Sequence, residues 1–189
     1  MKALEDKILR EGKVLPGHVL KVGSFLNQQL DVKFLAEMGE EIARLFRGAS
    51  VTKVMTIEAS GIALATLAAL SLGVPAVIVK KHASANQSRD VWSAEIASYT
   101  HGNVYTAAVA KEYLGEGERV LIVDDFLACG NAVIGLMDLV RQAGGEVVGV
   151  SAAIEKGYQG GGDALRKDNI RVESLAVIEE MSEEGIRFR

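Results

Sequence analysis

Two adjacent acids, Asp124 and Asp125, are followed after two residues by Ala128, Cys129, Gly130 and Asn131. A loop of small residues lets backbone N–H groups come close to an anion, where bulky side chains would block the approach. A helix that starts there adds the positive end of its macrodipole. Paired carboxylates at the mouth of such a loop offer lone pairs to sugar hydroxyls or to a hard cation such as Mg2+. Phosphate, sugar and metal together suggest a ribose phosphate. An acid pair also ends strands and caps helices with no ligand at all, so its context decides.

The surrounding elements favour a ligand. Residues 120–124 read V-L-I-V-D, a short apolar run of the kind buried on both faces of a parallel sheet. Beyond the loop, Val133, Leu136, Met137 and Val140 fall at helical spacing. A second unit repeats this order: strand 52–57, the small-residue stretch Glu58, Ala59, Ser60 and Gly61, then an almost wholly apolar helix over 62–72. A Ser N-cap and a Gly turn would explain the second loop alone. Two such loops at one end of an open α/β sheet instead form a ligand crevice, with places for two anions.

Further strands are expected at 75–79, 104–109, 146–154 and 170–178, with a small edge strand in the charged tail. The fold class expected is therefore α/β, a mostly parallel twisted sheet flanked by helices. Lys80 and Lys81 end one strand and Lys156 follows another. Each has an ordinary reading as a solvated Lys, and each also stands where an ammonium group could meet a ligand. The chain opens on an amphipathic helix over 2–11 closed by Gly12, Pro16 and Gly17. Next comes a partly alternating arm over 18–27, explicable as plain core. Asp31 is the expected N-cap of a helix running to about Arg47. Residues 83–102 form a long polar insertion, the length of a lid or binding loop. Gly160, Gly161 and Gly162 read as a flexible turn before a short helix over 163–168.

Composition bounds the function. At 189 residues the chain suits one domain, 1–189, with a full core. A net charge of −4 argues against binding nucleic acid through its phosphates. One cysteine forbids an internal disulfide and points to a reducing compartment, with cytoplasmic placement expected. No apolar run approaches the roughly 18 residues of a membrane span, and the amino terminus lacks a signal-peptide core. Neither Gly-rich loop follows G-x-G-x-x-G, which argues against a nicotinamide cofactor.

The stretch 119–132 resembles the signature of type I phosphoribosyltransferases, a hydrophobic strand leading into two acids and a small-residue loop. The resemblance covers nearly the whole chain, and the amino-terminal arm closely resembles that of the xanthine-using branch. It implies a hood built from residues 1–30 and the C-terminal segment, with a flexible loop over about 83–103 closing over the site. Arg89, Glu95, Tyr99 and His101 are hood participants on that reading. It also implies that Asp124, Asp125, Ala128, Cys129, Gly130, Asn131 and Ala132 bind phosphoribosyl pyrophosphate. Glu58, Ala59, Ser60, Gly61 and Lys81 would hold the pyrophosphate, and Leu20, Asn27 and Lys156 the base, with Phe126 stacked beside it. Asp124 and Asp125 would hold Mg2+, directly or through water; no organic cofactor is expected.

Members of the family often have Thr where this chain has Cys129 and Ala132, and many have Asp at Ala128. Backbone N–H groups would therefore carry the phosphate, and the general base stays unassigned. The implied reaction makes xanthosine 5'-monophosphate and pyrophosphate from xanthine and phosphoribosyl pyrophosphate in purine salvage, with the protein as a homodimer. Alternatives are an adenine or a hypoxanthine/guanine enzyme of the family, or a non-catalytic regulator that senses phosphoribosyl pyrophosphate. Cys129, a lone thiol near a helix N-terminus, is an expected point of oxidant sensitivity.

Overall fold

Alternate residues of one strand divide the core into two layers. Leu121 and Val123 enter one apolar cluster, with Leu35, Met38 and Ile42, while Val120 and Ile122 enter the other, with Val133, Leu136 and Leu139. A strand covered on both faces has no solvent side, which is why this segment is apolar without alternation. The computed structural model describes residues 1–81, 90–97, 104–182 and 184–189.

In chain order the elements are α1 (Lys2–Glu11), β1 (Lys13–Leu15), β2 (Val19–Lys21), α2 (Val32–Phe46), β3 (Lys53–Ile57), α3 (Ile62–Leu72), β4 (Ala76–Val79), β5 (Val91–Ala97) and β6 (Val104–Ala110). They continue with β7 (Arg119–Leu127), α4 (Asn131–Gln142), β8 (Glu146–Lys156), α5 (Gly161–Lys167), β9 (Val172–Ser182) and β10 (Gly185–Phe188). The main sheet runs β10-β9-β8-β7-β3-β4. Only β10 is antiparallel to its neighbour. Helices α2 and α3 contribute to one core layer and α4 to the other, as the α/β expectation requires.

Local signals hold well. Helix α3 spans 62–72 as expected, and Asp31 caps α2 by accepting from the Phe34 N–H at 3.2 Å. Four expectations are corrected. The arm over 18–27 is not one extended segment. Strand β2 pairs back onto β1 around a turn in which Gly17 and His18 have positive φ, and residues Gly23–Asn27 then form a single wide helical turn. Adjacent Phe25 and Leu26 are buried in the same apolar cluster, where the opposite-facing side chains of a strand would be parted.

The insertion at 83–102 contains a strand. Its residues Val91 to Ala97 pair antiparallel with β6, burying Ala94 and Ile96 between exposed Ser93 and Glu95. Such brief alternation gave too weak a period to read. His82, Arg89, Tyr99 and His101 lie outside the described residues. Strand β7 does not stop at Asp124 but carries both acids and ends at Leu127. Finally, Gly161 and Gly162 open α5 rather than forming a flexible turn. No helix among the described residues is long and apolar enough to cross a membrane.

Candidate active site

The small-residue loop is 128–130, and α4 begins at Asn131. Gly130, just before the helix, has φ +86°, a left-handed conformation that strains any residue with a Cβ. Loop residues 128–132 line a cleft of about 180 Å3 together with Lys81, Tyr105, Asp124 and Phe126. Asp124 is buried, and burial first, then the charge of Asp125, push its carboxyl well above the ordinary value. Its Oδ1 accepts the Asp125 N–H at 2.9 Å. Opposite, the Lys81 Nζ lies 5.5 Å from the ring centroid of Tyr105, whose hydroxyl is raised by burial and then by Asp124. Sequence reasoning missed Tyr105; only the alternation of β6 hinted at which residues face inward.

Successive residues of a strand face opposite ways, so the two acids do different things. Asp125 turns from that cleft to the loop 58–61 and the N-terminal segment. Its Oδ1 accepts from Ser60 Oγ at 2.9 Å and its Oδ2 from Asn27 Nδ2 at 3.1 Å. One carboxylate thus joins two residues expected to hold different groups, and Asn27 keeps its amide oxygen uncommitted to Asp125.

The same loop sorts the paired lysines. Glu58 Oε1 accepts the Lys81 backbone N–H at 2.7 Å and Oε2 accepts from Lys80 Nζ at 3.1 Å. The Lys81 N–H and then Lys80 hold this carboxylate below its usual value, against burial. Lys80 is therefore paired with Glu58, while the Lys81 side chain lines the cleft. Gly61 is hemmed in: a Cβ there would lie 2.4 Å from Thr56 Oγ1 and 2.7 Å from Asp124 Oδ1.

A second cleft, about 550 Å3, lies between the turn of the β1–β2 hairpin and the end of β8. Gly17, His18 and Val19 form one wall and Lys156, Tyr158 and Gln159 the other. Cys129 lines both clefts, so the two adjoin at the loop 128–130. Lys156 donates to the His18 carbonyl at 3.1 Å, and its Nζ stands 5.7 Å from the Phe126 ring centroid. Burial holds its ammonium below the ordinary lysine value.

Not every expected residue reaches a cleft. Leu20 is 7% exposed and packs in the core, lining neither. Asn131 lines the first cleft, but its Nδ2 donates to the Ala97 carbonyl at 3.1 Å, fastening α4 to the β5–β6 ribbon. Among the described residues no group of three His, Cys, Asp or Glu side chains forms a metal cage. Two adjoining carboxylates nevertheless suit Mg2+, which usually takes one or two protein carboxylates and completes its shell with substrate oxygens and water. The arrangement can hold an extended anion along 128–132 and Lys81, with a planar oxygen-bearing group beside Lys156.

A sequence model of the phosphoribosyl transferase domain matches residues 23–186. The xanthine phosphoribosyltransferase of Clostridioides difficile is 48% identical over 190 residues, covering 100% of both chains. That of Oceanobacillus iheyensis is 47% identical over 189 residues, covering 100% of this chain and 97% of its own. Among solved structures, adenine phosphoribosyltransferase from Thermoanaerobacter pseudethanolicus has a TM-score of 0.67 at 27% identity, covering 78% of this chain and 81% of that one. The APRTase of Giardia lamblia complexed with 9-deazaadenine has a TM-score of 0.79 at 23% identity, covering 94% and 98%; at that identity the likeness concerns the fold.

Proposed function

The chain belongs to the phosphoribosyltransferase family, and from that premise we propose that it is a purine phosphoribosyltransferase acting on xanthine. The reaction breaks the bond from ribose C1 to the pyrophosphate oxygen and forms a bond from C1 to a ring nitrogen of the base. The ring N–H proton is lost, and xanthosine 5'-monophosphate and pyrophosphate are the products of this purine-salvage step.

The observation that carries the base assignment is Lys156. A half-buried ammonium beside an aromatic face, at the end of a cleft wide enough for a purine, is a donor for an oxo group. Adenine presents an amino group there and would leave the donor without an acceptor. Asn27, held by Asp125, carries an amide that can face a base edge. Nearly half of all positions are shared with several curated xanthine enzymes over the full chain, which supports the same base.

The protein's task is to position and shield. Backbone N–H groups of residues 128–132 hold the 5-phosphate, and Asp124 and Asp125 hold the ribose hydroxyls or a cation's water shell. Residues 58–61 and Lys81 receive the pyrophosphate. Mg2+ bound with phosphoribosyl pyrophosphate supplies neutralisation of the leaving group's charge. The hood, residues 1–30 with the C-terminal segment, covers the base, and the insertion over about 83–103, which carries β5, keeps water from the developing sugar cation. The enzyme works in the cytoplasm, which suits a chain with one cysteine, and as a homodimer, which sedimentation at about twice 20.2 kDa would check.

Pyrophosphate release from phosphoribosyl pyrophosphate and Mg2+ should be compared for xanthine, guanine, hypoxanthine and adenine. Xanthine is expected to lead, and Lys156→Ala to lower its kcat/KM by about 100-fold, the loss of a hydrogen bond to a charged donor. Adenine leading would overturn the base assignment and keep the reaction. Tight binding of phosphoribosyl pyrophosphate with no turnover of any base would favour a regulator.

A further inference from the structure

Behind the loop 128–130 stands a buried carboxylate that the reaction does not use. Glu155 is fully buried and sits on β8 in register with Leu127, the residue that leads into the loop. Its two oxygens accept a fork from Arg166 of α5, Nη1 to Oε1 at 2.8 Å and Nη2 to Oε2 at 2.7 Å, and Ser174 Oγ adds a bond of 2.5 Å. Arg166 also donates to Asp163 Oδ1 at 3.1 Å, and Asp163 is held in turn by Arg189 at 3.0 and 3.2 Å. Burial alone does not call for this pair, because a well-packed apolar pair of similar size is often as stable. What a planar guanidinium fork supplies beyond apolar packing is direction.

The element so directed is α5, whose first two residues make contacts no side chain would permit. A Cβ on Gly161 would lie 2.2 Å from the Ala128 carbonyl oxygen and 2.7 Å from the Gly130 nitrogen. A Cβ on Gly162 would lie 2.1 Å from Glu155 Oε1. The Gly161 N–H donates to the Ala128 carbonyl at 3.1 Å. In a trans peptide the carbonyl and the next N–H point opposite ways, so turning the Ala128 carbonyl to α5 turns the Cys129 N–H away from it. Residues 128–133 line the first cleft, and no α5 residue lines it.

From this chain of contacts we infer that Arg166 is a positioning residue for the phosphate loop: through Glu155 and the close seat of Gly161 it sets the direction of the loop's N–H donors without touching substrate. The inference rests on reading 128–132 as the 5-phosphate site. It separates two halves of the substrate, since Arg166 buttresses this loop and not the loop 58–61.

The test is calorimetric titration of the full chain with ribose 5-phosphate and, separately, with pyrophosphate and Mg2+. For Arg166→Ala the expected result is a ribose 5-phosphate affinity lower by about tenfold or more, with pyrophosphate affinity unchanged. Arg166→Lys, which keeps the charge and loses the fork, should recover only part of the loss. Should Arg166→Ala not fold, Arg166→Lys and Glu155→Gln are to show the same selective loss. Unchanged affinity for both probes, or equal weakening of both, would overturn the inference. Failure of the unaltered protein to bind ribose 5-phosphate at all would instead overturn the reading of the site.

Discussion

The two strand–loop–helix units look alike in sequence and are held by different means. The loop 58–61 is tied by polar side chains: Glu58 to Lys80 and the Lys81 N–H, Ser60 to Asp125. The loop 128–130 has no comparable side chains. It is set from behind by backbone contact, the Gly161 N–H on the Ala128 carbonyl, with α5 clamped by Arg166 and Glu155. A loop that supplies side-chain donors can also be fastened by them, and ligand binding must then compete with that fastening. A loop that offers only N–H groups needs an external wall to aim them. This makes the missing hydroxyls at Cys129 and Ala132 intelligible as a site that relies on its backbone.

The contrast can be broken most strongly at Gly161. Its obstacle to a Cβ is backbone, which cannot rotate aside, so Gly161→Ala is expected to cost about 3 kcal/mol by overpacking. It should also lower kcat/KM for phosphoribosyl pyrophosphate by about 100-fold through displacement of the loop. Denaturant midpoints and steady-state kinetics together would decide this, and near-normal values for both would show that the wall is dispensable.

Gly61→Ala sharpens the other half. Its φ is −71°, so the backbone is unstrained, and the nearest atoms in the way are on side chains, the Thr56 hydroxyl and the Asp124 carboxylate, rather than on backbone as at Gly161. A cost of about 1 kcal/mol is expected, with activity falling more than stability because Asp124 must move. If instead Gly61→Ala proved as damaging to stability as Gly161→Ala, the distinction between the loops would fail.

The smallest effect is on pH. Burial raises the Glu155 carboxyl, but Arg166 and then Ser174 outweigh it and hold the group below the ordinary 4.5. A depressed carboxyl contributes stability that is complete above its unfolded value and is lost as pH falls through its lower folded value. Acid unfolding of the unaltered protein should therefore steepen below about pH 4.5. In Arg166→Met the slope from this group should reverse, because an unpaired buried carboxyl takes up a proton on folding. Parallel curves for the two proteins between pH 3 and 6 (roughly the window of such a titration) would count against a charged Glu155 behind the loop.

Much of the site was legible because strands, helices and their small-residue loops are written locally. Asp31 as a cap, α3 between Gly61 and Gly73, and an apolar strand leading into the two acids each need only neighbours in sequence. The partners of those residues were not legible. Asn27 and Asp125 lie 98 positions apart, and Lys156 and His18 lie 138 apart, so no periodicity links them. Strand β5, unlike its partner β6, was hidden because seven residues of weak alternation carry little signal beside a polar loop.

By itself, then, the amino-acid sequence determined which segments become strand or helix, where the anion-binding loops fall and that two acids stand beside one of them. These follow from period, capping and the room a small residue leaves. Only the tertiary structure decided that Asp124 lines the cleft while Asp125 is held by Ser60 and Asn27, that Lys81 rather than Lys80 lines the cleft, and that Gly161, in a run read as a flexible turn, packs against the loop 128–130. Those outcomes depend on which surfaces meet when distant segments pack, and a buried polar group takes its partner from whatever the fold brings within about 3 Å.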